Sequence, residues 1–211
     1  MPKRNRDNLA RRKPTRQPYP TFLIVCEGEV TECEYFRDLK HLSRVPITLK
    51  FRSGGVPRTL VQIAAEEKKR PNDYDQIWVV CDVDEHPDIP NALQQASDNN
   101  LPVAISNPCF ELWALLHFQN QNAHIERDEL SRLCRTHMPG YGKKLPCDKL
   151  MPHIDAACAR AEELRKRHAR NGTEGHNPST DVDKIVKTIM DARSHSSAAG
   201  SGRYPRTPAT P

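Results

Sequence analysis

The stretch that decides the fold is Thr21-Phe-Leu-Ile-Val-Cys-Glu-Gly-Glu-Val-Thr-Glu32. Its first six residues are mostly apolar and include β-branched side chains, a pattern that predicts a short buried strand. An acidic segment with a glycine follows directly, and residues 32–44 then carry apolar side chains on one helical face. A buried strand that passes through a polar loop into a helix is typical of the first unit of a parallel α/β sheet.

The same alternation continues along the chain and predicts an α/β fold, a parallel sheet flanked by helices. The predicted strands are nearly continuous in hydrophobicity, as in a sheet that is covered on both faces. After the fourth strand, residues 120–150 contain several glycines and prolines and predict an irregular insertion, followed by a C-terminal helical extension. The further predicted strands are 47–51, 76–81 and 101–106, and the further predicted helices begin at Pro57 and span 90–99, 110–118, 150–169 and 180–192.

The domain organisation follows from charge and composition. The chain has 211 residues and a net charge of +5, and residues 1–18 hold seven Lys or Arg against one acidic residue, so the rest is close to neutral. We expect residues 1–19 to be a disordered basic tail and residues 20–193 to form one folded domain. Residues 194–211, which are rich in Ser, Ala, Gly and Pro, should be a second disordered tail.

The basic tail has two interpretations. Arg11, Arg12 and Lys13 are candidates for binding nucleic acid, because Lys and Arg displace the counterions of phosphates. A tail that only keeps the protein soluble would have the same composition.

A membrane protein and a secreted disulfide-rich protein are not expected. No apolar stretch reaches the roughly 18–20 residues that a membrane span needs, and no apolar segment follows the basic N-terminus as in a signal peptide. The seven Cys are odd in number and no two are spaced as CxxC, which argues against a disulfide framework or a zinc ribbon. We therefore expect reduced cysteines in a cytoplasmic protein without a membrane partner.

Acidic side chains follow two of the predicted strands. Glu27 comes directly after the first strand, and Asp82 and Asp84 come directly after the third. Because ligands bind beyond the carboxyl ends of parallel strands, we expect these three carboxylates to converge at one edge of the sheet. Like charges this close repel one another unless a cation relieves them, and carboxylate oxygens suit Mg²⁺ or Mn²⁺. The alternative is that the acidic residues only cap the helices that follow.

Four short motifs stand out along the chain: Val25–Glu32, Val80–His86, Ile105–Trp113 and Asn177–Thr180. In this order they resemble the successive motifs of the RloB-like family, and the resemblance covers residues 20–192. It implies a core similar to the Toprim fold of primases, topoisomerases and OLD-type nucleases, with a metal site formed by Glu27, Asp82 and Asp84. It also implies a role in bacterial phage defence and abortive infection and, for some members, an ATPase partner of the AAA or ABC type.

The first motif departs from a pattern common among Toprim nucleases, EGxTE, in which a second acidic residue follows the first by four positions. In this sequence Thr31-Glu32 lies one residue later, and Glu29 is the alternative equivalent. We favour Glu32 because it keeps the neighbouring threonine.

Further candidates follow the acidic strands or lie in the insertion. Glu111 can add a carboxylate, Asn107 can contact a phosphate or cap the following helix, and His86 can be a ligand, an acid/base group or a solvated loop residue. Lys143 and Lys144 can neutralise charge on a scissile phosphate or form a solvated pair. The apolar side chains Trp113, Leu115 and Leu116 are expected to be core residues.

The sequence therefore predicts a metal-dependent nuclease that hydrolyses phosphodiester bonds of RNA, with tRNA as one candidate, or of DNA. Glu27 would act as general base or metal ligand, and Glu32 and Glu111 would complete the catalytic site. Two alternatives stay open: a non-catalytic Toprim-like sensor or adaptor beside an ATPase partner, and an enzyme that transfers phosphate on mononucleotides. The sequence contains no Walker A motif, and it leaves the oligomeric state open, a homo-oligomer included.

Overall fold

The computed structural model describes residues 19–53, 55–71, 74–83, 86, 88–142 and 144–198, with side chains up to residue 194. The predicted nucleic-acid-binding residues Arg11, Arg12 and Lys13 lie outside the described residues. Strands alternate with helices as far as β4, and the chain is mostly helical after it. The elements in chain order are β1 (Phe22–Cys26), α1 (Thr31–Ser43), β2 (Ile47–Phe51), α2 (Pro57–Lys69), β3 (Gln76–Asp82), α3 (Ile89–Asp98), β4 (Val103–Asn107), α4 (Glu111–Leu116), α5 (Arg127–His137), α6 (Cys147–Leu150), α7 (Ile154–Asn171), β5 (Ser179–Thr180) and α8 (Val182–Ala198).

The five strands form one sheet in the order β2-β1-β3-β4-β5. Strands β1 to β4 are parallel, and β5 runs antiparallel to β4 at the edge. From β1 the chain moves to one side to form β2, and it then crosses β1 to form β3 on the other side. The carboxyl ends of β1 and β3 therefore flank the point at which the strand order reverses, where open α/β sheets leave a crevice for ligands.

Both faces of the sheet are covered, because the side chains of β1 alternate between two apolar layers. Phe22, Ile24 and Cys26 pack into the layer of α1, α4, α7 and α8. Leu23 and Val25 pack into the opposite layer, with α2 and α3. All five side chains are fully buried, which accounts for the continuous hydrophobicity of this strand. The predicted α/β class is confirmed, while the likeness to the Toprim fold stays a prediction.

The predicted irregular insertion at 120–150 is wrong, because this segment contains α5 and α6. Leu130 and Cys134, four residues apart, form the buried stripe of α5. That stripe is narrow, and Pro139 and Gly140 lie just after the helix. The composition of this segment therefore predicted irregular structure and not a helix.

Other element boundaries also differ from the prediction. Helix α4 is shorter than expected, and the helix expected at 150–169 begins at Ile154, after α6 and a 3₁₀ turn at Met151–His153. Strand β5 was not predicted because two residues are too few to show an alternating pattern. The core positions Trp113, Leu115 and Leu116 are confirmed, since each is fully buried.

Two predictions from composition can be compared with the fold. All seven cysteines are free and buried, and their reduced state stays a prediction. Within the part of the chain that the structure describes, no helix combines the length and the hydrophobicity that a membrane crossing requires.

The insertion is anchored to the segment before β5 by one side chain. The Ile125 N–H donates to Asn177 Oδ1 at 3.0 Å, and Asn177 Nδ2 donates to the Ile125 carbonyl at 2.9 Å. One amide side chain thus pairs with both backbone groups of a single residue, as a neighbouring strand would.

A buried ion pair joins α7 to α8 beside β5. Asp183 is fully buried, and Arg165 donates to both of its oxygens, with Nη2 at 2.7 Å from Oδ2. Arg165 Nη1 also donates to the Thr180 carbonyl at 2.9 Å. Loss of the guanidinium would leave a buried carboxylate without its main partner, which is costly.

We expect Arg165→Met to lower the free energy of unfolding by about 3 kcal/mol, measured by urea denaturation. Arg170→Met on the same helix is the matched control, because Arg170 and its partner Glu163 are both more than 60% exposed and exposed pairs contribute at most about 1 kcal/mol. Equal losses in the two variants would contradict a structural role for the buried pair.

Candidate functional site: an acidic cleft at the carboxyl ends of β1 and β3

A cleft of about 330 Å³ opens at the point where the strand order reverses. Its lining comes from the loop after β1, the start of α1, the turn after β2, the end of β3 and the starts of α4 and α5. Five carboxylates and one guanidinium belong to this lining, and we call it the acidic cleft. The charged residues are Glu27, Glu29, Glu32, Asp82, Glu111 and Arg127.

Glu27 follows β1 directly and is held by a histidine from the segment after β3. Glu27 Oε1 lies 3.1 Å from His86 Nε2, so this contact spans two adjacent strand ends. Glu27 Oε2 is buried and has no hydrogen-bond partner among the described residues. A buried carboxylate oxygen normally has a partner, so Oε2 is a candidate ligand atom.

Asp82 is the last residue of β3, and pairing with β4 fixes its backbone. Its Oδ1 atom is also buried without a partner in the described part of the chain. Burial raises the pKa of the Asp82 carboxyl well above its usual range, and the carboxylates of Glu32, Glu111 and Glu27 raise it further. Arg127 has a smaller effect in the opposite direction. The cleft therefore disfavours a negative charge at Asp82 unless a cation is present.

Glu32 sits in the first turn of α1 and folds back toward the loop after β1. Its Oε1 accepts a hydrogen bond from the Gly28 N–H at 3.1 Å. A Cβ atom at Gly28 would lie 2.0 Å from Glu32 Oε2, so the carboxylate occupies space that exists only because residue 28 is glycine. Burial raises the pKa of Glu32, as do Glu111 and Glu27, while the backbone hydrogen bonds lower it. Glu29, the alternative second acidic residue, is exposed at the cleft.

The insertion forms one wall of the acidic cleft. Tyr141, from the loop after α5, donates its hydroxyl to Glu111 Oε1 at 2.9 Å. Burial and the Glu111 carboxylate raise the pKa of Tyr141 well above its usual range, so the phenol stays protonated and continues to donate. Arg127, the first residue of α5, adds positive charge to the same wall. The insertion thus contributes both a hydrogen-bond donor and a cation to the site.

The other predicted site residues lie elsewhere or cannot be described. Asp84 and Lys143 fall outside the described residues. Lys144 is not part of the cleft lining; it is exposed and lies 3.8 Å from Glu34 on α1. Asn107 does not cap α4, which has no side-chain cap. Instead, Asn107 Nδ2 donates to the Gly175 carbonyl at 2.9 Å, because β4 ends beside the segment that leads to β5.

Sequence reasoning missed Arg127 and Tyr141. The acidic residues Asp128 and Glu129 in the first turn of α5, followed by its buried stripe, were a signal for the helix. Nothing in the spacing indicated that its first residue would face acids carried by β1 and β3.

The two unpartnered oxygens test whether the predicted metal fits. Glu27 Oε2 and Asp82 Oδ1 are hard ligands from adjacent strands, and Mg²⁺ is usually bound by one or two carboxylates while it keeps several waters. Among the described residues, no group of three or more His, Cys, Asp or Glu could hold a metal ion. The third predicted ligand, Asp84, lies outside those residues. The donor set therefore fits a hydrated Mg²⁺ or Mn²⁺ ion and does not fit a closed zinc site.

Comparisons with known proteins identify the family of the chain. A family model described as RloB-like protein matches residues 22–189, from β1 into α8. The match includes every segment that lines the acidic cleft. No curated protein and no solved structure gives a significant match.

We expect Asp82→Asn to be more stable than the wild type by about 1 kcal/mol or more at pH 8 in EDTA. The folded state raises the pKa of this carboxyl, so its ionisation destabilises the fold as the pH rises through that raised pKa. The gain should therefore shrink toward pH 4, where the group is protonated in the folded state. Urea denaturation at pH 4, 6 and 8 measures it.

Asp98→Asn is the matched control, because Asp98 is exposed on α3. If Asp82→Asn and Asp98→Asn change the free energy of unfolding equally at every pH, the charge of Asp82 does not destabilise the fold.

Proposed function

We propose that this chain, which belongs to the RloB-like protein family, is a metal-dependent nuclease whose active site is the acidic cleft. One observation carries the proposal: two buried carboxylate oxygens, Glu27 Oε2 and Asp82 Oδ1, lack partners at the carboxyl ends of adjacent strands. The raised pKa of Asp82 supports it, because perturbed carboxyl groups in a cleft are typical of functional sites.

Glu27 and Asp82 would hold a Mg²⁺ or Mn²⁺ ion, with Asp84 as a further candidate ligand. Such an ion supplies Lewis-acid polarisation of a phosphate oxygen and lowers the pKa of a bound water. The contact with His86 Nε2 holds Glu27 Oε1, and the buried Oε2 would be the oxygen that binds the ion. The same pair can take up the proton that an attacking water loses, which is the general-base role predicted for Glu27.

The remaining charged residues of the cleft would position the substrate. Arg127 can bind a non-bridging phosphate oxygen, because a guanidinium matches the geometry of a phosphate. Glu32 and Glu111 are held by donated hydrogen bonds from Gly28 and Tyr141, and their charges strengthen attraction of a divalent cation. A positive ion then offsets the repulsion that burial of these acids creates.

The substrate class and the biological role belong to the same proposal. RNA, with tRNA as one candidate, or DNA would enter the cleft, and the basic residues Arg11, Arg12 and Lys13 would add attraction for phosphates that depends on salt concentration. The family resemblance supports a role in bacterial phage defence and abortive infection. An ATPase partner would hydrolyse ATP, since the sequence contains no Walker A motif.

The direct test is incubation of the full chain with tRNA, single-stranded RNA and DNA in Mg²⁺, Mn²⁺ or EDTA. We expect divalent-dependent cleavage, and a loss of about 100-fold or more for Asp82→Ala, since the variant removes a metal ligand. Asp98→Ala, which removes an exposed carboxylate of the same type, should cleave like the wild type.

Cleavage that persists unchanged in Asp82→Ala would refute the assignment of the acidic cleft. Turnover of a mononucleotide without polymer cleavage would support the phosphotransfer alternative. Phage defence that survives Asp82→Ala, together with no cleavage of any polymer, would support the non-catalytic adaptor.

A second test uses the glycine that makes room for Glu32. In Gly28→Ala the new methyl group must displace the Glu32 carboxylate, which would lie 2.0 Å from it. We expect about 10-fold weaker binding of Mg²⁺ by calorimetry and a matching loss of cleavage. Gly142→Ala is the control, because among the described residues no atom lies within 4 Å of a Cβ atom at that position. Equal metal affinity in the two variants would show that the position of Glu32 does not matter for the ion.

A further inference from the structure

Exposed apolar side chains gather at the mouth of the acidic cleft. Of the five large hydrophobic residues that are exposed in the described part of the chain, three lie on or next to segments that line the cleft. They are Val30 in the loop after β1, Phe51 at the end of β2 and Val56 directly before α2. Val30 belongs to the cleft lining, and Phe51 and Val56 flank Ser53, which also belongs to it. Phe51 is 48% exposed, whereas every other aromatic side chain of the described residues is buried or partly buried.

The sheet register fixes Phe51 next to the predicted metal ligand. Phe51 is the last residue of β2 and is the register partner of Cys26, the residue before Glu27. The Arg52 N–H donates to the Cys26 carbonyl at 3.2 Å, so the pairing continues past the strand end. Because paired strands lie about 4.8 Å apart, Phe51 stands one strand spacing from the start of the acidic loop.

The same segment is cationic. Residues 47–58 contain Lys50, Arg52 and Arg58 and no acidic residue. Lys50 pairs with Glu67 on α2, and Arg58 lies 3.6 Å from Asp88.

Arg52 is different from these two cations, since the structure gives its guanidinium no ion pair or hydrogen bond within the described residues. Its stem is held against Gly55, where a Cβ atom would lie 2.8 Å from Arg52 Cγ. The Gly55 N–H also donates to the Arg52 carbonyl at 2.8 Å. These contacts fix the backbone of Arg52 between Phe51 and Ser53, the residue of this segment that lines the cleft.

We propose that Phe51 and Arg52 form a binding site for an unpaired nucleotide of the strand that enters the acidic cleft, with the base stacked on the Phe51 ring and a phosphate on Arg52. An exposed aromatic ring beside a cation is the combination that binds single-stranded nucleic acid without sequence preference. Val30 and Val56 would border the stacked base.

Two observations favour a nucleic acid over a protein partner at this place. The patch adjoins the acidic cleft at Val30 and Ser53, and the segment 47–58, which carries Phe51 and Arg52, contains three basic residues and no acidic one. The inference rests on the proposed function and adds a substrate preference to it: single strands over duplexes. Paired bases are stacked on one another and cannot cover the Phe51 ring without leaving the helix.

The experiment measures binding separately from cleavage. The full chain carrying Asp82→Asn is titrated in Mg²⁺ into a fluorescein-labelled single-stranded RNA and into the same RNA as a duplex, with anisotropy as the readout. Adding Phe51→Ala should weaken single-strand binding by about 10-fold, the loss of one base–aromatic stack, and leave duplex binding unchanged. Phe51→Tyr should restore it. Arg52→Gln should weaken binding and lower the salt slope by about one counterion.

Leu42→Ala is the matched control, because Leu42 is an exposed apolar residue on α1 and is not part of the cleft lining. Equal single-strand affinity for the Phe51→Ala and Leu42→Ala variants would overturn the inference. So would equal losses for single strand and duplex, or a Phe51→Ala defect confined to association with a protein partner. The proposed function fails separately, if polymer cleavage does not depend on Asp82 while stacking at Phe51 is still detected.

Discussion

The structure depends on holding several carboxylates close together in the partly buried acidic cleft, where the negative charge of each carboxylate disfavours the ionisation of the others. Asp82 is paired with Ser106 in the sheet, and Glu27 directly follows Cys26, the last paired residue of β1. The protein meets this constraint with donated hydrogen bonds and one guanidinium: His86 at Glu27, the Gly28 amide at Glu32, Tyr141 at Glu111 and Arg127 near Asp82. These contacts leave two buried oxygens, Glu27 Oε2 and Asp82 Oδ1, without a partner among the described residues, and the proposed cation site rests on them.

The other parts of the fold position the residues of the acidic cleft. The reversal of strand order between β1 and β3 creates the crevice. Apolar layers on both faces of the sheet fix the strands that carry the acids. The insertion between α4 and α7 closes one side and brings Arg127 and Tyr141 to acids that are far away in sequence. The buried pair of Arg165 and Asp183 locks α7 against α8 beneath the short edge strand. Residues of the insertion thus affect the electrostatic environment of acids that β1 and β3 carry.

The sequence predicted those features that a short segment determines by itself. The apolar run before Glu27 identified β1, and the rule that ligands bind beyond the carboxyl ends of parallel strands was enough to place Glu27 and Asp82 at one cleft. Features that depend on long-range contacts could not be predicted from the sequence. Arg127 faces the acids only because α5 packs on α4, and Asn107 turns toward Gly175 only because β5 pairs with β4. The narrow apolar face of α5 lay next to Pro139 and Gly140, and composition therefore indicated irregular structure where a helix forms.

The amide of Asn177 has a consequence for how members of this family could diverge. One side chain supplies both hydrogen bonds to the backbone of Ile125, and the Ile125 side chain is itself buried in the apolar core. The start of the insertion is therefore held at its backbone and at its side chain. Variation between relatives should then concentrate at exposed positions of the insertion, such as Asp128 and Arg135, where a change alters the outer surface of this wall and leaves its attachment intact.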